Sequence, residues 1–155
     1  MIKQWMREAI ALAAEGAGRG DGGPFGALVV LGGEVIGRGW NRVLAEQDPT
    51  AHAEVIAIRQ AARRLGSPHL QGAVLYSSCE PCPMCLCAAY WARLERICYG
   101  ATAADAAAIG FDDGWLYREL ARPRGERRMP MEQALRDEVL AVFRQWEASD
   151  RKLLY

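Results

Sequence analysis

Four of the five cysteines lie within ten residues, in the stretch SCEPCPMCLC at positions 78–87. Cys79, Cys82 and Cys85 follow one another at a three-residue step, and Cys87 comes two residues after the last of them. Thiolates are strong zinc ligands, and a zinc site is catalytic when three protein ligands leave a fourth position open to water. The stretch therefore predicts a metal site, which is structural or catalytic depending on which thiols bind.

Two of these thiols are favoured as the metal-binding pair. The two prolines of the stretch are typical of a helix start, so Cys82 and Cys85 are expected three residues apart on one helical face. The positive end of the helix dipole also favours the thiolate form, which is the form that binds zinc. We expect Cys79 to be a buried thiol at the end of the preceding strand, and Cys87 to be a core residue on the other face of the helix.

The third ligand is expected to be one of two histidines. His69 lies in a loop, GSPHL, without an acidic neighbour, whereas His52 lies in TAHAE with Glu54 two residues on. A His-x-Glu pair followed by Pro-Cys-x-x-Cys is the signature of zinc deaminases, in which the glutamate transfers protons and does not bind the metal. Residues two apart on a regular helix diverge by about 200°. His52 and Glu54 can therefore face one site only in an irregular first turn, after the cap residues DPT.

A closed structural zinc site is the alternative interpretation of the same residues. In it Cys79, Cys82, Cys85 and His52 would all bind the metal, which is a common arrangement for structural zinc. That arrangement fills the fourth coordination position and leaves Glu54 without a role. The protein would then be a zinc-stapled binding module and not an enzyme.

Length, composition and charge exclude several classes of protein. The chain has 155 residues, 51% hydrophobic and 25% charged, which is typical of one globular domain spanning 1–155. The formal net charge is zero, which argues against a nucleic-acid-binding surface. No apolar run approaches the roughly 18 residues of a membrane span, and Arg7 and Glu8 interrupt any signal peptide. Clustered cysteines without an export signal lead us to expect a cytoplasmic protein.

The periodicity of apolar residues predicts strands alternating with helices. An N-terminal helix is expected to end at Gly16 and Gly18, and a hairpin is expected to turn at Gly32 and Gly33. The helix after DPT should end at Gly66 and bury a stripe comprising Val55, Ile58, Ala62 and Leu65.

Later segments complete the predicted architecture. AVLYSS and RICYG are typical of buried strands, TAADAAAIG of a short helix, and a helical stripe near the C-terminus comprises Leu135, Val139, Val142, Phe143 and Trp146. Together these elements predict an α/β fold, a three-layer α/β/α sandwich with a mixed central sheet.

Five motifs carry a resemblance to a known family: GGPFGA (22–27), DPTAHAEV (48–55), SCEPCPMCL (78–86), YWAR (90–93) and GFDD (110–113). With them the chain resembles the cytidine-deaminase-like superfamily of zinc aminohydrolases over nearly its full length. GFDD and the tryptophan of YWAR favour the bacterial guanine deaminases within that superfamily.

The resemblance implies a role for each matching residue. His52, Cys82 and Cys85 would bind one Zn²⁺ per subunit, with Glu54 as the general acid and base. The residues expected to contact a purine base are Phe25, Asn41, Trp91, Asp112, Asp113 and Tyr155, with Phe25 stacking, Asn41 binding the polar edge and Asp113 preferred to Asp112. For each of the aromatic residues, plain core packing is the alternative.

The resemblance also implies an assembly and a reaction. It implies a homodimer in which the C-terminal segment, about residues 148–155, closes the site of the partner subunit. The implied reaction is hydrolysis of guanine, a small-molecule purine base, to xanthine and ammonia. Deamination of guanosine or of another amino-heterocycle is the nearest alternative, and a tRNA adenosine deaminase shares the AHAE and PCPMC motifs.

Overall fold

A four-stranded mixed sheet organises the N-terminal part of the chain. The computed structural model describes all residues, 1–155, and divides them into two compact units, Met1–Leu116 and Tyr117–Tyr155. The strands are β1 (Gly26–Leu31), β2 (Glu34–Trp40), β3 (Val74–Cys79) and β4 (Arg96–Ala101). Their order in the sheet is β2-β1-β3-β4; β1 pairs antiparallel with β2 and with β3, and β3 pairs parallel with β4.

Helices cover both faces of this sheet. On one face α1 (Ile2–Arg19) packs through Ala9 against Leu28 and Tyr76. On the other face α3 (Ala53–Leu65) and α4 (Pro83–Trp91) bury alanines against Val29 and Leu75. Because neighbouring strand residues point to opposite faces, these two clusters form the two cores of an α/β/α sandwich. The predicted fold class and mixed sheet are thereby confirmed.

The remaining helices are short, apart from the last. They are α2 (Val43–Glu46), α5 (Ala103–Ala108), α6 (Gly114–Ala121), a 3₁₀ helix at Arg124–Glu126 and α7 (Arg136–Glu147). The predicted short helix within TAADAAAIG is confirmed as α5. The predicted C-terminal helix is confirmed as α7, but Leu135 of its stripe lies outside the helix, as the N-cap residue with φ 52°. None of the helices is both long enough and apolar enough to cross a bilayer.

The predicted end of α1 is wrong by one turn. The helix continues through Gly16 and Gly18 and ends at Gly20, which has a left-handed φ of 73°. Gly16 lies against the indole of Trp40, and a Cβ at Gly16 would come within 2.3 Å of that ring. The glycine that looks like a helix terminator therefore allows close packing inside the helix. By contrast, the hairpin turn at Gly32 and Gly33 is confirmed, since both residues have positive φ.

The predicted buried stripe of α3 is only partly right. Gly66 ends the helix as expected, with φ 63°. The residues that face the sheet are Ala53, Glu54, Ala57, Ile58 and Ala61, while Val55 and Ala62 are half-buried and Leu65 is exposed. The cause is close contact with β2, where a Cβ at Gly37 would lie 2.1 Å from the Ala57 carbonyl oxygen. Only small side chains fit between α3 and this strand.

Two further predictions of burial are wrong. β4 is an edge strand that pairs only with β3, so its residues are half-buried or exposed. Cys87 is exposed. On α4 the core-facing residues include Cys85 and Ala89, and Cys87 lies midway between them, on the opposite side of the helix. Cys79 is a buried thiol at the end of β3, as expected.

Candidate active site

His52 and Glu54 meet at the N-terminus of α3. His52 is the N-cap residue, with the extended backbone angles φ −74° and ψ 151°, and the helix begins at Ala53. Since His52 lies just outside the helix, its direction is independent of the 100° helical step that governs Glu54. The irregular first turn predicted from DPT is thus found, in the form of a non-helical cap.

The N-terminus of α4 supplies two thiols. Cys82 is the N-cap residue and Pro83 is the first helical residue. The Cys82 Sγ lies 3.6 Å from the His52 Nδ1, and the Cys85 Sγ lies 3.5 Å from the same nitrogen. All three donor atoms lie within 4.8 Å of one another.

These distances fit a tetrahedral zinc ion. Zinc–sulfur bonds of about 2.3 Å and zinc–nitrogen bonds of about 2.05 Å, at a tetrahedral angle, separate sulfur from nitrogen by about 3.6 Å. Cys79 is not in the group, because its thiol points to the backbone carbonyl of Thr102 at 3.6 Å. The donor set is therefore two sulfurs and one nitrogen, which leaves a fourth tetrahedral position without a protein ligand.

Glu54 lies beside the donor set and is almost fully buried, with 5% of its surface exposed. Its Oε1 accepts a hydrogen bond from the Ser77 hydroxyl at 3.1 Å, and its Oε2 lies 3.5 Å from the Cys85 Sγ. Burial raises the pKa of Glu54 above its usual value. A carboxyl group in such a place exchanges protons more easily near neutral pH than an exposed glutamate does.

The charge state of Cys82 favours a bound cation. Hydrogen bonding from Cys85, and next from His52, lowers the pKa of Cys82 to about 4, so this thiol is ionised. Hydrogen bonding to the Cys82 sulfur raises the pKa of His52 and, together with burial, that of Cys85. Burial raises the pKa of Cys79 to about 11, which keeps that thiol neutral. Of the three thiols, Cys82 is therefore the one whose pKa is lowered.

A cavity of about 520 Å³ opens beside these groups. Its walls are formed by residues of the first unit: Gly22, Gly23, Pro24, Phe25, Asn41, Val43, Leu44, Pro49, His52, Glu54, Cys79, Glu80, Cys82, Phe111 and Asp113. Six of the site residues predicted from the sequence thus line the cavity, namely Phe25, Asn41, His52, Glu54, Cys82 and Asp113. Its size suits a flat heterocycle of one or two rings.

Asn41 lines this cavity, and the main chain engages its amide oxygen. Its side chain is 95% buried, as its exposed fraction is 5%. The Oδ1 accepts hydrogen bonds from the backbone N–H groups of Gly23, at 3.3 Å, and Val43, at 3.2 Å. Because the oxygen is engaged by the main chain, the NH₂ group is left to bind a ligand. Asn41 is therefore set as a donor that binds an acceptor atom.

Two phenylalanines form an aromatic corner of the cavity. Phe25 and Phe111 pack edge to face, with ring centroids 5.0 Å apart. Sequence reasoning missed Phe111, although it lies inside the GFDD motif, next to the aspartates that were singled out. Asp113 lines the cavity, and burial followed by the charge of Cys82 raises its pKa.

Three residues predicted to contact the base are not among those that line the cavity. Asp112 is exposed, and its Oδ1 accepts a hydrogen bond from the N–H of Gly114 at the start of α6, at 3.0 Å. Trp91 is the last residue of α4 and is 70% exposed. Tyr155 belongs to the second unit. Roles for these three residues in substrate binding stay predictions.

The proteins to which this chain is similar are consistent with a zinc site of this kind. Residues 1–101 match the family described as the cytidine and deoxycytidylate deaminase zinc-binding region. The chain belongs to this zinc-binding deaminase family. It is also 47% identical to the guanine deaminase of Bacillus subtilis over 151 residues, 97% of each protein. The resemblance to bacterial guanine deaminases that the motifs indicated is thereby confirmed.

Solved structures that resemble this chain include guanine deaminases, as the sequence relatives do. The crystal structure of the Bacillus subtilis guanine deaminase has a TM-score of 0.95 at 46% identity, covering 99% of this chain and 98% of that one. The guanine deaminase of Nitrosomonas europaea has a TM-score of 0.66 at 30% identity, covering 94% and 84%. A tRNA-specific adenosine deaminase of Agrobacterium fabrum is 47% identical, but over only 61% of this chain and 62% of that protein.

Proposed function

We propose that this protein is a zinc-dependent guanine deaminase, which hydrolyses guanine to xanthine and ammonia. The observation that carries the proposal is the placement of Glu54 beside a two-sulfur, one-nitrogen metal site in the wall of one base-sized cavity. A structural zinc site would need neither the free coordination position nor the buried carboxyl group. Similarity to guanine deaminases over nearly the full length supports the choice of substrate.

The zinc ligands in this proposal are His52, Cys82 and Cys85, with one ion per subunit. When bound, zinc lowers the pKa of a coordinated water towards 7. Cys79 stays outside the ligand set, since its thiol faces the Thr102 carbonyl and is not among the three donor atoms that lie together.

Glu54 transfers protons in the reaction. It takes one from the attacking water and delivers it to a ring nitrogen while C2 of guanine is attacked. It then takes the proton of the hydroxyl group now on C2 and gives it to the amino group, which leaves as ammonia while C2 becomes a carbonyl carbon. Ser77 holds the carboxyl group during these transfers, because its hydroxyl donates to one carboxylate oxygen and leaves the other facing the metal side.

The remaining cavity residues bind the purine. Asn41 donates to an acceptor atom on the polar edge of the base, because its own oxygen is occupied by main-chain N–H groups. Phe25 stacks on the ring, supported edge-on by Phe111. Asp113 accepts from N–H groups of the base, with Asp112, Trp91 and Tyr155 as further candidates.

We also propose a cytoplasmic homodimer whose C-terminal segment, about residues 148–155, closes the site of the partner subunit. Five free cysteines suit a reducing compartment. On α7 the side chains of Val139, Val142 and Phe143 are exposed within one chain, and such apolar surface is typical of a subunit interface.

Deamination of tRNA adenosine is the rival function. Its support is the similarity to tRNA-specific adenosine deaminases, one of which is 47% identical over 61% of this chain. A net charge of zero is unfavourable for binding a polyanion. Guanosine and other amino-heterocycles are rivals of a closer kind, because they would use the same cavity.

An ammonia-release screen tests the proposed function. The zinc-loaded protein is assayed with guanine, guanosine, adenine, cytosine and an adenosine-containing tRNA anticodon stem-loop, and the metal-free protein is the control. Guanine is expected to give the highest kcat/KM. A much higher value for another substrate would overturn the assignment of guanine, and no turnover on any of them would favour the structural zinc site.

A further inference from the structure

Trp40, the last residue of β2, is held from several sides. Its indole Nε1 donates a hydrogen bond to the Asp21 Oδ2 at 2.7 Å. The guanidinium groups of Arg19 and Arg42 lie 5.3 Å and 5.5 Å from the ring centroid, within the range of cation–π attraction. Gly16 of α1 packs against the same ring. None of these groups lines the cavity.

Asp21 also joins two helices through its main chain. Its N–H donates to the Gly16 carbonyl at the end of α1, at 3.1 Å. Its carbonyl accepts from the N–H groups of Leu44 and Ala45 in α2, each at 3.0 Å. Asp21 is therefore hydrogen-bonded to the end of α1, to the end of β2 and to the start of α2.

Asn41 follows Trp40 directly, and its position depends on the hydrogen bonds that Asp21 makes. Its N–H donates to the Phe25 carbonyl at 2.9 Å, and its Oδ1 accepts from Gly23 and Val43. Gly23 lies two residues after Asp21, and Val43 is the first residue of the helix that Asp21 holds. Both N–H groups that orient the Asn41 amide are thus located by segments anchored at Asp21.

We propose that Asp21 is a positioning residue for substrate binding, which acts through Trp40 and the Asn41 amide. The Asp21–Trp40 hydrogen bond fixes the end of β2 against the glycine loop at positions 22–23, and so fixes the direction of the Asn41 N–H donors. The inference rests on the proposed function, because it assigns Asn41 to the substrate. It predicts an effect on KM that is separate from zinc binding and from the chemical step.

Asp21→Ala in the full-length, zinc-loaded protein tests this role. KM for guanine is expected to rise about tenfold, because an Asn41 amide that is no longer held in place loses about one hydrogen bond to the substrate. The kcat value is expected to stay within about twofold, and zinc content to be unchanged. Asp21→Asn keeps an oxygen that can accept from the indole, so its KM is expected within about twofold of the wild type.

Two further variants separate positioning from general stability. Trp40→Phe removes the indole donor and keeps an aromatic ring, so it is expected to raise KM as Asp21→Ala does. Glu34→Ala breaks an exposed ion pair with Arg64 at the hairpin and is expected to leave KM unchanged. Trp40→Phe also tests the proposal if Asp21→Ala does not fold.

The decisive measurement is a double-mutant cycle with Asn41→Ala. If Asp21 acts through Asn41, Asp21→Ala raises KM by less than about twofold in the Asn41→Ala background. An undiminished tenfold rise there would overturn the proposal, as would an unchanged KM accompanied by a lower melting temperature. Failure of the proposed function would appear separately, as absence of guanine turnover in the wild type; the same cycle would then be run on the substrate that the wild type prefers.

Discussion

Glu54 combines almost complete burial with a place beside three metal-binding donors. Burial without an ion pair is costly for a carboxylate, and the raised pKa of Glu54 reflects that cost. A structural role gives no reason to keep a carboxyl group there. Proton transfer does, because the transfer is efficient when the pKa of the acid lies near the working pH.

Glu54→Ala and Glu54→Gln are therefore expected to keep zinc and lose turnover. The loss in kcat should be at least about a hundredfold, as general acid–base catalysis contributes that much or more. Zinc content by atomic absorption and ammonia release by a coupled assay give the two readouts. Glu95→Ala, on an exposed glutamate outside the cavity, is the matched control. Near-normal turnover of either Glu54 variant would refute its assigned role.

At the residue scale, the metal site could be predicted from the sequence because zinc ligands belong to a few residue types, and closely spaced cysteines and histidines have few other uses. Residue type and spacing were enough to identify His52, Glu54, Cys82 and Cys85. The same signals do not identify Phe111 or Asp21, because phenylalanine and aspartate are common and the role of each depends on a neighbour far along the chain. The exposure of Cys87 was missed because a thiol on a helix gives no sign of which face meets solvent.

The packing of α3 on β2 is the contact between elements that places His52. Gly37 and Gly39 remove the side chains of β2 where the helix crosses it. A Cβ at Gly39 would lie 2.5 Å from the Ala53 carbonyl oxygen, one residue from His52. The helix could accept that atom only by moving away from the sheet.

Gly39→Ala is therefore expected to lower the free energy of unfolding by about 1–3 kcal/mol, the usual cost of overpacking. Urea denaturation measures the change. Gly18→Ala is the matched control, because Gly18 lies within α1 with no atom near its Cβ position; it should be neutral or stabilising by up to about 1 kcal/mol. Equal stability of the Gly39 and Gly18 variants would contradict the importance of this contact.

Prediction of the elements succeeded where one local signal decided the outcome. Gly66 ends α3, and Gly32 with Gly33 turns the hairpin. The prediction failed where a tertiary contact determines the structure. Gly16 is an example, because its place inside α1 depends on packing against Trp40. The stripe of α3 failed for a related reason: large apolar residues were expected to face the sheet, but the space left by the glycines of β2 admits alanine.

At the scale of the whole molecule, the second unit exposes an apolar stripe on α7. The exposed fraction of Phe143 is 59% and that of Val142 is 60%. A single chain that keeps such residues in water would tend to associate. This surface supports the proposed homodimer.

Sedimentation equilibrium is accordingly expected to give about twice the chain mass of 17.1 kDa. Phe143→Asp should raise the dimer dissociation constant at least about tenfold, because it would bury an unpaired charge. Gln145→Asp adds the same charge on a neighbouring exposed position outside the stripe and should leave the mass unchanged. A wild-type protein that stays monomeric at micromolar concentration would refute the dimer.

Gly22 has a consequence for how substrate range could evolve. A Cβ at this position would lie 2.1 Å from the Asn41 Oδ1, so even an alanine must displace that side chain. A residue without any functional group therefore controls the direction of the amide that we propose to bind the substrate. Mutant libraries restricted to polar cavity residues would miss it, whereas a library that varies Gly22 and Asn41 together samples new donor directions. The two positions should be strongly epistatic, and a useful replacement at one will depend on the residue present at the other.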